Sequence, residues 1–114
     1  NGDLVKNNRD LVNKVLDAQK EAIEMLENDP AKAAEYIVGD FIQEEEVDTA
    51  DGGKIPAVDV VKAAIESQEF RWDITEQDIA RMDEIAQFMV DQGLVENKVD
   101  VHQALDLTWQ AQFE

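Results

Sequence analysis

The sequence predicts an all-α chain of about five helices, and three observations lead to this fold class. Apolar residues recur at three- and four-residue steps through most of the chain, which is the spacing that places them on one face of a helix. Residues typical of helix starts precede several of these stretches. With 114 residues, 44% of them apolar, the chain has room for one small core. We therefore expect residues 1–114 to form a single helical segment.

Residues 1–46 are expected to form an αα-hairpin. Asn7 or Asn8 can cap the first helix, because a short amide side chain accepts hydrogen bonds from the exposed N–H groups of the first turn. The helix is expected to end at Asn28. Its apolar stripe consists of Leu11, Val12, Val15, Leu16, Ala18, Ala22, Ile23 and Leu26.

The second helix of the hairpin is predicted from Asp29 and Pro30. Asp29 is a good N-cap, and Pro30 takes the first helical position, where its missing N–H costs nothing. Gly39 lies inside the apolar pattern at a cost of about 1 kcal/mol against Ala, so we expect either close packing or a break there. The short turn implies that the two helices run antiparallel.

The middle of the chain is expected to contain a loop, a helix and an extended crossing. Residues 47–56 include two adjacent glycines and Pro56, which predicts a loop. Residues 57–69 follow as the third helix. Residues 70–74 break the helical period, so we expect an extended crossing there.

Residues 75–114 are predicted to contain the C-terminal helices. Thr75 and Asp78 have the spacing of a capping box at the start of the fourth helix. Gly93 suits the position just after a helix C-terminus, and Asp100 is expected to cap a short fifth helix. The apolar stripe of the fourth helix consists of Ile79, Met82, Ile85, Ala86 and Met89.

The charge balance excludes several classes of partner. Ten Lys and Arg residues face 27 Asp and Glu residues, for a net charge of -17. Nucleic acids and anionic membrane surfaces need a cationic surface, so we expect no nucleic acid and at most a peripheral relation to a membrane. The absence of cysteine excludes disulfides, thiol nucleophiles and Cys-ligated metals. We predict no catalytic residue and no cofactor, and we expect that the chain is not an enzyme.

Two groups of titratable residues are candidates for a metal or catalytic site, and each has a simpler interpretation. The single histidine, His102, has Asp100 and Asp106 nearby in sequence, and these fit a helix cap and a helix surface better than a ligand set. Asp48 and Asp51 lie in a Gly-containing loop that lacks two of the oxygen ligands of an EF-hand, so a solvated loop is favoured. No metal site is predicted.

Arg71 and Trp72 are the candidates for ligand binding. An aromatic ring beside an extended segment can stack on a ligand, and a guanidinium can pair with an anionic group. We favour the alternative that Trp72 and Trp109 anchor helices on a core.

The order of elements resembles one known family. The motifs that carry this likeness are Asn1–Gly2–Asp3, Lys6–Asn7 with Leu11–Val12, and Asn28–Asp29–Pro30 with Ala33–Ala34. The stretch QFMVDQGLVENKVDV adds a helix, a Gly-Leu turn and a final V-D before the last helix. From Asn1 to about Thr108 the chain is similar to periplasmic substrate-binding proteins of ABC importers. The nearest group is the nitrate/sulfonate/taurine/bicarbonate family, which also contains the thiamine-pyrimidine binders.

This resemblance implies a C-terminal helical part of a two-lobe α/β type II periplasmic-binding fold, in which Asn1 is internal and follows a strand. Such a protein captures a small ligand, here expected to be anionic and nitrate- or sulfonate-like, and delivers it to an ABC permease. Most ligand contacts would come from outside this chain, and the location would be periplasmic or extracytoplasmic. Without its lobes, the segment is expected to self-associate through exposed apolar faces.

The alternative is a freestanding acidic helical module that binds other proteins. Such a module would unfold cooperatively by itself, with the denaturant dependence expected for its full length. Enzymatic relatives of the same fold depend on His and a Cys-rich motif, and this chain offers one His and no Cys.

Overall fold

The computed structural model describes residues 2–114 and is mainly helical, with 65% of the chain in helices. The chain divides into two compact units, an N-terminal unit that ends at Trp72 and a C-terminal unit, Asp73–Glu114. In chain order the elements are α1 (Gly2–Asn7), α2 (Arg9–Asn28), α3 (Pro30–Ile37), a π-helix (Val38–Ile42), β1 (Glu46–Asp48), β2 (Lys54–Pro56), α4 (Ala57–Glu66), α5 (Glu76–Asp91), α6 (Val101–Ala104) and a 3₁₀ turn (Gln110–Phe113).

The N-terminus differs from the pattern of the resembled family. Where the family likeness implies a turn after a strand, Gly2 and Asp3 already belong to α1. Asn1 lies outside the described residues. Asp3 in the first turn and Lys6 in the last turn both complement the helix dipole, which favours a short helix here. Asn8 then occupies the N-cap position of α2, as predicted, although its side chain makes no capping hydrogen bond.

A single residue, Asp29, separates α2 from α3. Its backbone N–H donates to the carbonyl oxygen of Met25 at 2.9 Å, which ends α2. Its carboxylate accepts from the N–H of Lys32 at 3.2 Å, which starts α3, and Pro30 takes the first helical position. The predicted cap and helix start are therefore confirmed. One residue therefore ends α2 through its backbone and begins α3 through its side chain.

Gly39 marks a change of helix type and not a close contact. The α-helical hydrogen bonds stop at Ile37, and the next five residues form the π-helix, which ends at Gln43 in the left-handed region (φ 59°). A Cβ atom placed on Gly39 would meet no atom within 4 Å. The expectation of a break is confirmed, and the expectation of close packing is wrong.

Residues 47–56, predicted to be a loop, instead form most of an antiparallel β-ribbon. β1 pairs with β2 so that Val47 lies opposite Ile55 and Glu46 opposite Pro56. The β-branched residues favour an extended backbone, and Pro56 at the ribbon's end leaves no ladder donor missing inside it. Gly52 supplies the positive φ (83°) that the tight connection requires. The all-α prediction therefore holds only as a mainly helical fold.

The core of the N-terminal unit lies between α2, α3 and α4. α4 begins at Ala57, in agreement with the predicted start of the third helix, and the segment that follows bends at Trp72 and Asp73 without forming a strand. The core residues are Ala33, Ala34 and Ile65, packed against Met25, Leu26, Ile37, Val58, Val61 and Phe70. Among the described residues, the ones that are completely buried are the alanines Ala34 and Ala57. Small residues at the centre make this core thin.

In the C-terminal unit, α5 starts and ends as the sequence predicts. Asp78 Oδ2 accepts from the N–H of Thr75 at 2.9 Å, and Thr75 Oγ1 accepts from the N–H of Asp78 at 3.2 Å, which completes the capping box. At the other end, Gly93 (φ 67°) donates to the carbonyl of Val90 and Leu94 donates to that of Met89, each at 2.9 Å. This pair of bonds is a Schellman motif.

The remainder of this unit packs around short elements. Asp100 caps α6 through its carboxylate, which accepts from the N–H of Gln103 at 3.2 Å, as predicted. Trp109 is only 6% exposed and makes an edge-to-face contact with Phe113, their ring centroids 5.2 Å apart. The buried apolar residues of the unit are Ile79, Val101 and Trp109. Trp109 is thus a core residue, which is the interpretation that the sequence favours.

Candidate docking surface

The two ligand-binding candidates lie at the end of the N-terminal unit. The ring of Trp72 is half-buried, and the ammonium of Lys20 lies 5.0 Å from its centroid, so a side chain of α2 occupies one face of the ring. The same Lys20 forms an ion pair with Glu24 one turn further along α2. Arg71 is exposed. Trp72 therefore contacts the chain's own α2 through one face of its ring.

Asp51 holds the turn of the β-ribbon. The Thr49 hydroxyl and, secondly, the Gly53 N–H donate to its carboxylate, and these bonds lower the pKa of Asp51 below its ordinary value of 3.8. Asp48 lies opposite Lys54 in the register of the two strands. The acidic loop is thus a hydrogen-bonded turn. In residues 2–114, no group of three or more His, Cys, Asp or Glu side chains is placed to hold a metal ion.

His102 lines an apolar cavity of about 340 Å³ in the C-terminal unit, together with Ile79 and four residues between Leu105 and Ala111. The two acids near it in sequence have other partners. Asp100 caps α6, and Asp106 accepts from the N–H and the hydroxyl of Thr108 at 3.1 and 2.6 Å. The predicted role of Asp100 as a helix cap is confirmed, whereas Asp106, predicted on a helix surface, lies in the segment between α6 and the 3₁₀ turn.

Two cavities lie in the N-terminal unit, and neither suits an anion. One, of about 340 Å³, is lined by apolar residues of α2 and α3. The other, of about 450 Å³, has Glu27, Glu66 and Glu69 among its lining residues, with no Lys or Arg. Carboxylates repel an anionic ligand, so the small anion expected from the family resemblance has no cationic contact in these two cavities.

The outer side of α5 departs from the sequence prediction. Of its predicted apolar stripe, Ile79 is buried, but Met82, Ile85 and Met89 are 38%, 59% and 36% exposed. Phe88, 58% exposed, lies beside them. Residues three and four apart share a helix face, so these side chains form one continuous apolar band. We call Met82, Ile85, Phe88 and Met89 the α5 face.

The sequence contains the signal for this face, although the stripe alone does not reveal it. A helix with one buried side needs an apolar arc near 100° wide. Ile79, Ala86 and Val90 lie towards the inner side of α5, and none of them is exposed. Phe88 extends the apolar arc well beyond that width, which indicates a helix with a second partner to contact.

Acidic residues dominate the surroundings of the α5 face. The C-terminal unit has ten Asp and Glu residues, against Arg81 and Lys98. Lys98 Nζ already lies 2.8 Å from Asp83 Oδ2. Glu84 and Asp91 are four and three residues from Phe88, and such spacings place them beside its ring on the helix surface. The face is therefore an apolar band with an acidic border along its Phe88 edge.

Both units leave large apolar side chains in solvent. Among them, outside α5, are Leu11, Val15 and Phe41 of the N-terminal unit.

No protein-family model matches the chain, and no curated protein and no solved structure is significantly similar to it. Within the described part of the chain, none of the helices combines the length and the apolar character that a membrane crossing needs. The geometry of the site is therefore the basis for a functional assignment.

Proposed function

We propose that this chain carries out no chemistry and acts as an acidic helical segment that docks on another polypeptide surface through the α5 face. The observation that carries this proposal is the continuous band of four large apolar side chains on one helix, each between 36% and 59% exposed. Contiguous apolar patches on a protein surface mark sites of interaction with other proteins.

A binding role rather than a catalytic one is supported by the local partners of the acidic side chains. Asp29 and Asp100 cap helices, and the Asp78 carboxylate accepts from the N–H of Thr75 in the capping box of α5. Asp51 accepts the hydrogen bonds that close the ribbon turn. Carboxylates engaged in this way stabilise the local backbone. They are poor candidates for groups that must exchange protons with a substrate.

In the setting that the family resemblance suggests, the covering surface is the remainder of a solute-binding protein of an ABC importer. Support comes from one motif, because Asp29 precedes α3 and Pro30 begins it, as that pattern requires. The segment would then buttress one lobe of a periplasmic protein that delivers a small anion to its permease. Gly2 and Asp3, helical here, depart from the pattern.

Two measurements test this setting. Sequencing the coding region upstream of Asn1 should reveal an in-frame stretch of alternating strands and helices behind a signal peptide; a start codon close to Asn1 would contradict it. In that longer protein, titration of nitrate and sulfonates against Trp72→Ala tests the ligand candidate. Unchanged affinity would assign Trp72 to the core.

The docking role itself is tested on the chain alone. We expect apolar dye binding, and self-association that increases with salt, since about 1 M salt shortens the Debye length to about 3 Å and screens the repulsion between acidic chains. Replacing Ile85 and Phe88 by Ser should reduce both. The matched control replaces Val15 and Phe41, which are at least as exposed but lie outside α5. A wild-type chain that sediments as a monomer at every salt concentration and binds no dye would contradict the proposal.

A further inference from the structure

We propose, building on the docking role above, that the polypeptide covering the α5 face is a cationic amphipathic helix and not a second copy of this chain. The face supplies an apolar band for the apolar side of such a helix. Its Phe88 edge supplies two carboxylates, Glu84 and Asp91, for basic residues on one side of that band.

The dimensions of the α5 face favour a helical partner. From Met82 to Met89 the band covers two turns, which is about 10 Å along the helix axis. Met82, Ile85 and Met89 follow the i, i+3, i+7 pattern by which one amphipathic helix packs against another. An interface of this length lies at the small end of specific contacts, so we expect a reversible complex with micromolar affinity.

The charges around the α5 face favour a cationic helix over a second copy of this chain. Glu84 and Asp91 border the face next to Phe88, and Asp83 already holds the unit's Lys98 at 2.8 Å. A second copy would bring the same acidic border against this one, with only Arg81 left to offset the nine other acidic residues of the unit. Like charges placed together at an interface oppose association, whereas opposite charges favour it and accelerate the encounter. A cationic helix is therefore favoured over self-pairing at moderate salt.

The test uses two synthetic peptides of about 18 residues, long enough for about five helical turns. Both carry Leu at the i, i+3, i+4 and i+7 positions; one has Lys and the other Glu at the remaining positions. Isothermal titration into the whole chain should give a dissociation constant at least tenfold lower for the Lys peptide. That affinity should fall as salt rises from about 50 to 200 mM, because the interaction is partly electrostatic.

Matched variants locate the binding. Ile85→Ser with Phe88→Ala should weaken binding of the Lys peptide at least tenfold, while Val15→Ser with Phe41→Ala should change it less than twofold. Glu84→Gln with Asp91→Asn should weaken it about fourfold, the effect of two exposed charge pairs. Glu44→Gln with Glu45→Gln removes the same charge elsewhere and should have a smaller effect.

The outcomes separate this inference from the docking role. Equal affinity for the two peptides would overturn the cationic partner and leave docking standing. Self-association through Ile85 and Phe88 at about 100 mM salt, where the Debye length is still about 10 Å, would also overturn the cationic partner. The partner would then be a second copy of this chain. Equal effects of the two charge variants would mean diffuse attraction to an acidic chain and would also overturn it.

Discussion

The side-chain amide of Gln110 binds both backbone groups of Ile74. Its Oε1 accepts from the Ile74 N–H and its Nε2 donates to the Ile74 carbonyl, each at 2.9 Å. The two residues are 36 positions apart, and both belong to the C-terminal unit. The Gln110 side chain thus satisfies both backbone groups of Ile74 and connects the start of the C-terminal unit to its end.

We expect Gln110→Ala to destabilise the C-terminal unit by about 1–3 kcal/mol, because it leaves a part-buried N–H and carbonyl without their partner. Urea unfolding followed by Trp109 fluorescence would measure the change. Gln112→Ala, two residues away and exposed, is the control and should shift the midpoint little. Equal shifts for the two variants would contradict this role of Gln110.

We expect Thr75→Ala to cost about 1 kcal/mol, since it removes the acceptor for the Asp78 N–H at the first turn of α5. Amide hydrogen exchange should be accelerated most in the first turn of α5. Gln77→Ala, an exposed change in the same turn, should leave exchange there nearly unchanged. A uniform acceleration along α5 would argue against a local capping effect.

Asp51 should titrate below 3.8, because the Thr49 hydroxyl and the Gly53 N–H stabilise its ionised form. The sign follows from linkage: a lowered folded pKa gives stabilisation that is present above the unfolded value and lost as the pH falls through the folded value. Thr49→Val removes the larger of the two causes, so the Asp51 midpoint should rise. Carboxyl carbon shifts followed by NMR would show this, and Thr108→Val should not move the midpoint.

The Lys20–Trp72 contact should contribute a coupling free energy of about 0.5–1 kcal/mol, the value of a cation–π pair near a surface. A double-mutant cycle with Lys20→Met and Trp72→Leu isolates that coupling from the other contacts of each residue. The comparison pair is Lys32 and Tyr36, 6.0 Å apart with a more exposed ring, for which we expect a smaller coupling. A coupling of zero for Lys20 and Trp72 would contradict a stabilising contact between them.

The helix boundaries could be predicted because they depend on neighbours in sequence. The caps at Asp29, Thr75 and Asp100, and the Schellman glycine Gly93, bond within a few residues of themselves. Short stretches of sequence are therefore enough to predict these capping hydrogen bonds. The same holds for Pro30 at the first position of α3.

The features that the sequence did not reveal depend on distant contacts or on missing ones. The ribbon forms because Val47 and Ile55 pair across the turn. The composition of the segment alone predicts only a loop. Gln110 finds Ile74 over 36 positions, and no local pattern signals it. Periodicity marked α5 as amphipathic but could not say that Ile85 stays in solvent, because burial depends on what packs against a face.

The boundary at Trp72 and Asp73 gives each unit its own intrinsic optical reporter. The chain has two tryptophans, and Trp72 belongs to the N-terminal unit while Trp109 lies in the core of the C-terminal unit. A pair of single-tryptophan chains, Trp72→Phe and Trp109→Phe, would therefore record the melting of each half separately. Should the two curves not coincide, one melting temperature would no longer describe this protein.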